Sequence, residues 1–322
     1  MSDIHLHKLD LNLLRVFDML VEECSVTRAG ERLGLTQSAI SHALNRLRYV
    51  FKDDLFVRGP EGMRPTARAA EIAPRVHQAL LQLRMALAPG AFNPATTERR
   101  FTIACTEYVG AILMPGFVAR LRLDAPRAEL RILPSNKGVT EALRAGRADV
   151  ALGSFRRIPD WLRHEPLFTD TRVWVLSADH PLADRELNLE RLAELPHLVS
   201  SATGEDESAV EGYVLDNGLE RLVTRSDAEV LRAFAEQGLR RSVALTTPHF
   251  LAAVSIVSCS DVAAVLPRRL AEVFADAYRL KLFDPPYPVR PFEVMSLWHR
   301  QYGDQPAVAW LRRVLREVAS EL

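Results

Sequence analysis

Residues Ser25 to Phe51 read SVTRAGERLGLTQSAISHALNRLRYVF, and the spacing within them decides how the N-terminal part of the chain folds. Two helices that meet at a tight angle need a small residue where their backbones approach, a turn residue that tolerates a left-handed conformation, and apolar anchors beyond the turn. Gly30 fits the first role, Gly34 the second, and Leu35, Ile40 and Leu44 the third. The pattern predicts helices over about Val26–Leu33 and Gln37–Val50. The second helix then carries a polar face made of Thr36, Gln37, Ser38, Ser41, His42, Asn45 and Arg46. Short hydroxyl and amide side chains there can hydrogen-bond base edges, and Arg46 can reach guanine or phosphate. A solvated helix face would more often carry Glu and Lys. The pair is therefore read as a helix-turn-helix.

On the N-terminal side, Asp10 is placed to cap a helix carrying Leu13, Leu14, Phe17, Leu20 and Val21 at helical spacing. On the other side, DDLFVRGPEGMRPTARA (Asp53 to Ala69) has the shape of a β wing, with Arg58 and Arg64 flanking a Gly-Pro turn and able to reach the DNA backbone or minor groove. Thr66 then starts a longer helix to about Ala88. Its stripe, Ile72, Val76, Leu80, Leu83 and Leu87, suits packing on its own domain or pairing with a second copy. Between Thr36 and Arg68 six basic residues stand against three acidic ones. That excess permits DNA binding without demanding it, since the whole chain balances 41 Lys and Arg against 41 Asp and Glu.

The remaining sequence has a different texture. PGAFNPATTERR (Pro89 to Arg100) reads as a hinge. After it, short apolar strands alternate with helices: strands at Phe101–Cys105, Leu130–Leu133, Asp149–Gly153, Arg172–Leu176, His197–Ser200, Val243–Thr246, Val262–Leu266 and Phe292–His299, with helices over Tyr108–Leu123, Thr140–Ala145 and Gln305–Val318. This alternation predicts α/β sheets covered by helices. At 322 residues, two or more domains are expected. Three scattered cysteines, Cys24, Cys105 and Cys259, give no metal or disulfide framework. The start lacks the pattern of a secretory signal, and the most apolar stretch, Val243 to Pro267, is interrupted by Pro248, His249 and Asp261, so a cytoplasmic protein without a membrane partner is expected. No GxSxG, P-loop, GxGxxG or HExxH motif is present, so neither an enzyme nor a cofactor is expected.

These segments together resemble the LysR-type transcriptional regulators. LNLLRVFDML, SVTRAGERLGLTQSAISHALNRLR, the DDLFVR wing and RPTARA carry the resemblance through the DNA-binding half, and FTIACTEY, ADVALG, HPLA and VAAVLP extend it along the chain. TQSAISHALNRLR with SDVAAVLPRRLA is similar to the branch holding the nodulation and salicylate-responsive regulators. Three departures stand out. Many members have Leu-Glu at Leu47-Arg48, glycine at Phe51 or Lys52, and serine at Thr36.

The resemblance implies a winged helix-turn-helix over residues 1–65, a linker and dimerisation helix over 66–89, a hinge over 90–100, and an effector-binding domain over 101–322. That last domain would be two α/β subdomains similar to periplasmic solute-binding proteins, the first from about 101–171 and 277–322 and the second from about 172–276. A small-molecule effector would lie between them, at strand ends and helix N-termini. The candidates there are Thr106, Ser135, Asn136, Ser200, Ser201, Thr203, Thr246 and Thr247, each of which could instead be a helix cap. Phe155, Trp161, Phe168 and His249 are candidates for an aromatic lining, with core packing as the alternative. The branch suggests an aromatic carboxylate or phenolic effector. The implied partners are double-stranded DNA at an inverted repeat, RNA polymerase, and further copies in a homodimer or homotetramer. A ligand-independent DNA-binding repressor is the alternative reading, with a solute-binding protein or an enzyme as the less favoured rivals.

Overall fold

A computed structural model describes residues 10–59, 62–87, 92–135, 138–200, 213–222 and 227–322. The chain divides into two compact units, one made chiefly of residues 1–91 and the other of most of the rest.

The first unit is α1 (Leu11–Glu23), α2 (Val26–Leu33), α3 (Gln37–Phe51), a hairpin of β1 (Phe56–Gly59) and β2 (Gly62–Pro65), and α4 (Ala67–Leu87). Each helix start has a side-chain acceptor for a free backbone N–H. Asp10 accepts from Asn12 N at 2.9 Å, Ser25 from Arg28 N at 3.4 Å, Thr36 from Ala39 N at 3.2 Å, and Thr66 from Ala69 N at 3.1 Å. The core brings Leu13, Val16, Phe17 and Leu20 of α1 against Ala29, Ile40, Leu44, Leu47, Leu55, Phe56, Ala69 and Ile72. Phe17 sits at its centre, its ring 6.1 Å from Phe51 and 5.9 Å from Phe56. Fully burying one such side chain stabilises the fold by about 1.5–3 kcal/mol.

Two expectations need correction here. Leu35 is 45% exposed rather than an anchor. Its N–H bonds back to Gly30 O at 2.9 Å, so the turn holds its backbone while its side chain faces out, and Leu47 serves as the third α3 anchor. The α4 stripe is also divided. Ile72 and Val76 pack on their own core, whereas Leu83 is exposed.

In the second unit, Asn93 caps a single 3-10 turn over Pro94–Thr96, and two five-stranded sheets follow. The first sheet has the order β4 (Glu129–Pro134), β3 (Arg100–Cys105), β5 (Val150–Gly153), β15 (Phe292–His299), β7 (Leu162–Asp170). The second has the order β12 (Ser242–Thr247), β9 (Pro196–Ser200), β13 (Ala263–Pro267), β8 (Arg172–Ser177), β14 (Leu280–Phe283). In each, three strands run parallel at one side: β4, β3 and β5 in the first, and β12, β9 and β13 in the second. β3 and β13 are apolar and almost wholly buried, as strands covered on both faces must be. The covering helices are α5 (Glu107–Asp124), α6 (Val139–Arg144), α7 (Leu189–Glu194), α8 (Asp227–Glu236), α9 (Phe250–Ser258), α10 (Arg268–Phe274) and α11 (Pro306–Ala319). A core cluster runs through both sheets by way of α5, α9, α10 and α11.

The second boundary between subdomains also moves. Leu280–Phe283 pairs antiparallel with β8, so the chain returns to the first sheet after Phe283, not near residue 277. At the first crossing, the buried Asp170 accepts from Tyr108 OH at 2.6 Å, Thr171 N at 2.7 Å and Arg269 N at 3.3 Å. A third, small sheet joins β10 (Tyr213–Asp216) and β11 (Leu219–Leu222) to the two-residue β6 (Phe155–Arg156).

Candidate nucleic-acid interface and effector site

Gly30 lies so close to the turn that an added Cβ would come within 2.7 Å of Leu35 O. Gly34 has φ +66° with nothing within 4 Å of its Cβ position, so its requirement is conformational rather than spatial. This geometry fixes the angle of α3. Gln37, Ser38, Ser41, His42 and Asn45 are exposed and line one open groove on that helix. The Thr36 hydroxyl is partly committed, capping α3 and lying 3.1 Å from Ser38 Oγ. Arg46 is exposed, with its guanidinium 3.7 Å from Asp10. An exposed pair of this kind is weak and easily exchanged for a phosphate. Arg64 is exposed on β2, and Arg58 lies on β1 in register with Met63.

Sequence reasoning gave Arg48 no role, yet it organises this surface. Its Nε donates to Asp54 O at 2.9 Å, Nη2 to Phe56 O at 3.3 Å and Nη1 to Asn45 Oδ1 at 3.3 Å. One guanidinium thus ties the wing's entry to α3 and orients Asn45, using the planar fork that lysine lacks. The departure from Leu-Glu at Leu47-Arg48 was the available signal. Asp53 makes the matching tie on the other side, accepting from Leu55 N and Thr66 Oγ1, each at 2.7 Å.

Between α1 and α4, His77 Nδ1 lies 2.8 Å from Asp18 Oδ1. Burial opposes the charged imidazole, but the hydrogen bond and the charges of Asp18 and Glu22 outweigh it and raise the His77 pKa. Asp18, Glu22 and His77 could in principle share a metal ion. However, Arg32 takes Glu22 at 2.8 Å, and Asp18 takes His77, so the group is satisfied internally.

In the second unit the proposed effector residues separate by local geometry. Thr106 caps α5, accepting from Val109 N at 3.3 Å, and Thr247 accepts from His249 N at 3.3 Å at the start of α9. Both hydroxyls therefore have local structural work. Thr246 is exposed on the edge strand β12. Ser135 and Ser200 differ: both are buried at strand ends, and among the described residues neither hydroxyl has a hydrogen-bond partner. Asn136, Ser201 and Thr203 lie outside the described residues. The aromatic candidates do not converge on one lining. Phe155 and Trp161 belong to the cluster around Leu219 and Leu297, Phe168 packs beside Tyr108 and Arg269, and His249 is exposed.

The parallel strand ends of the two sheets are brought side by side. Glu107, opening α5 after β3, accepts from Phe250 N at 2.7 Å, the first residue of α9 after β12. Nearby, burial raises the Tyr108 pKa, and its bond to Asp170 raises it further, so the phenol stays protonated as a donor. Burial also pushes the Cys105 thiol up to about 11, which leaves it unreactive.

Arg221 on β11 was missed too. It is 5% exposed, its Nη1 donates to Ser135 O at 2.9 Å, and its Nε has no partner among the described residues. Burial lowers its pKa, partly offset by the charge of Asp216. A signal for its hairpin was present: YVLDNGLERL places Asn217-Gly218 between two short apolar runs, and both residues have positive φ, +47° and +90°.

Comparison with known proteins agrees with this architecture along the whole chain. Residues 11–70 match the bacterial regulatory helix-turn-helix protein, lysR family, and residues 94–226 and 222–320 match the LysR substrate binding domain. The chain is 33% identical over 318 residues to the HTH-type transcriptional activator NagR of Ralstonia sp, covering 98% of this chain and 99% of that one. It is 30% identical over 316 residues to nodulation protein D 1 of Sinorhizobium fredii, covering 98% and 92%. A crystal structure of a probable transcriptional regulator from Pseudomonas aeruginosa superposes with TM-score 0.72 at 33% identity, covering 97% of this chain and 98% of the other. Among the described residues no helix is long and apolar enough to cross a membrane. With both family models matched and a third of the residues shared with full-length relatives, the chain belongs to the LysR family of helix-turn-helix transcriptional regulators.

Proposed function

We propose that the chain reads an inverted-repeat promoter site by placing α3 of each of two copies in the major groove. Gln37, Ser38, Ser41, His42 and Asn45 would face base edges, Thr36 and Arg46 would lie at their margin, and Arg58 and Arg64 would face the backbone or minor groove. The observation that carries this reading is the groove of neutral hydrogen-bonding side chains along α3, exposed and held at a fixed angle by Gly30 and Gly34. Pairing through α4 is supported by the exposed Leu83, and further association through the effector halves would give a tetramer. An effector, an aromatic carboxylate or phenol by analogy with the branch, would sit between the two sheets. Ser135 and Ser200 have the buried, unpaired hydroxyls such a ligand requires. Thr106, Thr246 and Thr247 would line its margin, together with Asn136, Ser201 and Thr203. A ligand that prefers one closure of the two sheets shifts the arrangement of the assembly, and with it the bend in the DNA and contact with RNA polymerase. The site of action is the cytoplasm.

The test is a salt-controlled footprint on the DNA upstream of the gene with excess random competitor. Protection of an inverted repeat is expected. Gln37→Ala should relax sequence preference, whereas Arg58→Ala should weaken specific and random binding alike and lower the salt slope by about 1 per lost phosphate contact. Equal losses on both DNAs for both variants would overturn this division of roles.

A further inference from the structure

The β10–β11 hairpin is docked firmly onto the first sheet. Asp216 accepts from Thr140 N at 3.4 Å, Asn217 Nδ2 donates to Thr140 Oγ1 at 3.3 Å, and Leu222 N donates to Ser154 O at 2.8 Å. Along β11 the residues alternate between buried and half-buried: Leu219 and Arg221 face in, while Glu220 and Leu222 lie at the margin. The outer charge has an ordinary explanation, since Glu220 pairs with Arg156 at 2.6 Å. The inner one has none. Arg221 occupies a position whose pattern calls for an apolar side chain.

An arginine carries five N–H donors in a rigid fork and no acceptor. Here the backbone carbonyl of Ser135 takes one of them at 2.9 Å. Among the described residues no carboxylate pairs with Arg221, and its Nε has no partner. The same is true of the hydroxyl of Ser135, itself 6% exposed. Asp216 offsets the burial of this cation in part, without hydrogen-bonding to it, and a buried charge compensated only in part is expensive to keep. A buried positive fork next to a second unpaired hydroxyl is a donor set for an oxyanion. Its location agrees: Ser135 follows β4 directly, and its N–H donates to Cys105 O at the end of β3, so both donors stand at the strand ends of the first sheet.

We infer that Arg221 and Ser135 form the anion-anchoring point of the effector site, with Arg221 pairing to the carboxylate of the bound molecule and the Ser135 hydroxyl donating to the same group. This rests on the reading that the effector lies between the two sheets, and it adds the charge and the contact that select it. A single guanidinium matches a singly charged carboxylate, and an uncharged analogue of the same shape leaves the cation unpaired.

The experiment uses the full chain and three probes: benzoate, its uncharged counterpart benzamide, and inorganic phosphate. Thermal shift and calorimetric titration should show saturable binding of benzoate and far weaker binding of benzamide. Arg221→Gln should weaken benzoate by about 10- to 100-fold, the range for one charge-assisted hydrogen-bonded contact, and leave benzamide unchanged. Arg221→Met, measured without any anion, should melt no lower than the parent protein, because it removes a buried charge that Asp216 offsets only in part. Equal affinity of the parent and Arg221→Gln for benzoate overturns the inference and leaves an effector site between the sheets standing. A clear fall in the anion-free melting temperature of Arg221→Met also overturns it, marking Arg221 as structural. Arg221-dependent binding of phosphate with no response to benzoate supports the anion anchor and sinks the aromatic class of effector. No response to either anion overturns the anchor itself.

Discussion

Replacing Gly30 by alanine separates two reasons for which a glycine is needed in a turn between helices. Alanine has the better intrinsic helix propensity by about 0.5–1 kcal/mol, so on local grounds the change should stabilise α2. The structure opposes this, because the new methyl would stand 2.7 Å from the carbonyl oxygen of Leu35. The obstacle is backbone rather than a side-chain tip, so relief requires the turn to move and strains the 2.9 Å bond from Leu35 N to Gly30 O. Overpacking of this kind costs about 1–3 kcal/mol, and weakening the bond adds about 0.5–1.5 kcal/mol. After the propensity gain, the net loss is about 2 kcal/mol, or roughly 8–16 °C in the melting of a domain this size. Gly34→Ala meets nothing within 4 Å. It incurs the left-handed penalty of about 1–2 kcal/mol, offset by about 0.4–1 kcal/mol of lost freedom in the unfolded chain. The assay follows from where the chromophores lie. All four tryptophans, Trp161, Trp174, Trp298 and Trp310, are in the second unit, so their fluorescence reports that unit alone, while circular dichroism at 222 nm reports both. Gly30→Ala should lower the dichroism transition, leave the fluorescence transition in place, and abolish the footprint at temperatures where Gly34→Ala retains it. A loss in Gly34→Ala equal to or larger than that in Gly30→Ala would refute the steric reasoning.

Three further outcomes can be checked with the same signals. Lys52 ends α3 in the left-handed region at φ +50°, where glycine carries no Cβ penalty, so Lys52→Gly should raise the first unit's stability by about 0.5–1 kcal/mol, and a lower melting temperature would contradict this. The raised pKa of His77 means that its contribution is fully present below its unfolded value of 6.5 and fades as pH rises through the higher folded value. Between pH 6 and 9 the first unit should therefore lose stability in the parent and stay flatter in His77→Gln, while stability that rises with pH in both would reject the Asp18 pairing. Arg48→Lys keeps the charge but cannot span Asp54 O, Phe56 O and Asn45 Oδ1 together, so it should reduce DNA affinity about 10-fold in a competitor-controlled binding assay, with little change in salt slope. A steeper or shallower slope with unchanged affinity would assign Arg48 to phosphate instead.

What could be read in the sequence was what is local. The two glycines, the cap at Thr36 and the polar face of α3 lie within a short stretch, and the structure keeps them together. Leu35 was misjudged because a residue just past a turn obeys neither helix's periodicity. β7 was invisible because LRHEPLFTD mixes charge with a proline, and Pro166 is tolerated only because this is an edge strand opposite a register shift. Leu280–Phe283 could not be given the right sheet from its own residues, since its partner, β8, lies a hundred positions earlier in the chain. At the effector end, serine and threonine look alike in sequence. Only the folded structure distinguishes hydroxyls that cap helices, Thr106 and Thr247, from hydroxyls without partners among the described residues, Ser135 and Ser200. Arg221 was hidden for the opposite reason: a charged residue in a short strand normally signals solvent, and here it points inward.

The same distinction between committed and uncommitted groups bears on how a chain with no net charge can bind a polyanion. Counting basic residues around the wing overstates the electrostatic attraction, because Arg48 is already engaged within the fold. Arg48 is committed to wing carbonyls and Asn45, whereas the exposed pairs Arg68–Glu71 and Arg46–Asp10 are weak enough to exchange for phosphates. The non-specific component of binding, which scales with the phosphates neutralised, is limited for one copy because the basic excess between Thr36 and Arg68 is only six against three. Most of the discrimination then falls to the neutral donors and acceptors of α3, whose hydrogen bonds form only on the right bases. One α3 reading a few base pairs is a weak anchor on its own. Two copies on an inverted repeat make the second contact intramolecular and multiply the discrimination without adding charge. Weak attraction to random DNA therefore favours a protein that acts as an oligomer on paired half-sites, and any effector that alters the spacing between copies alters binding directly.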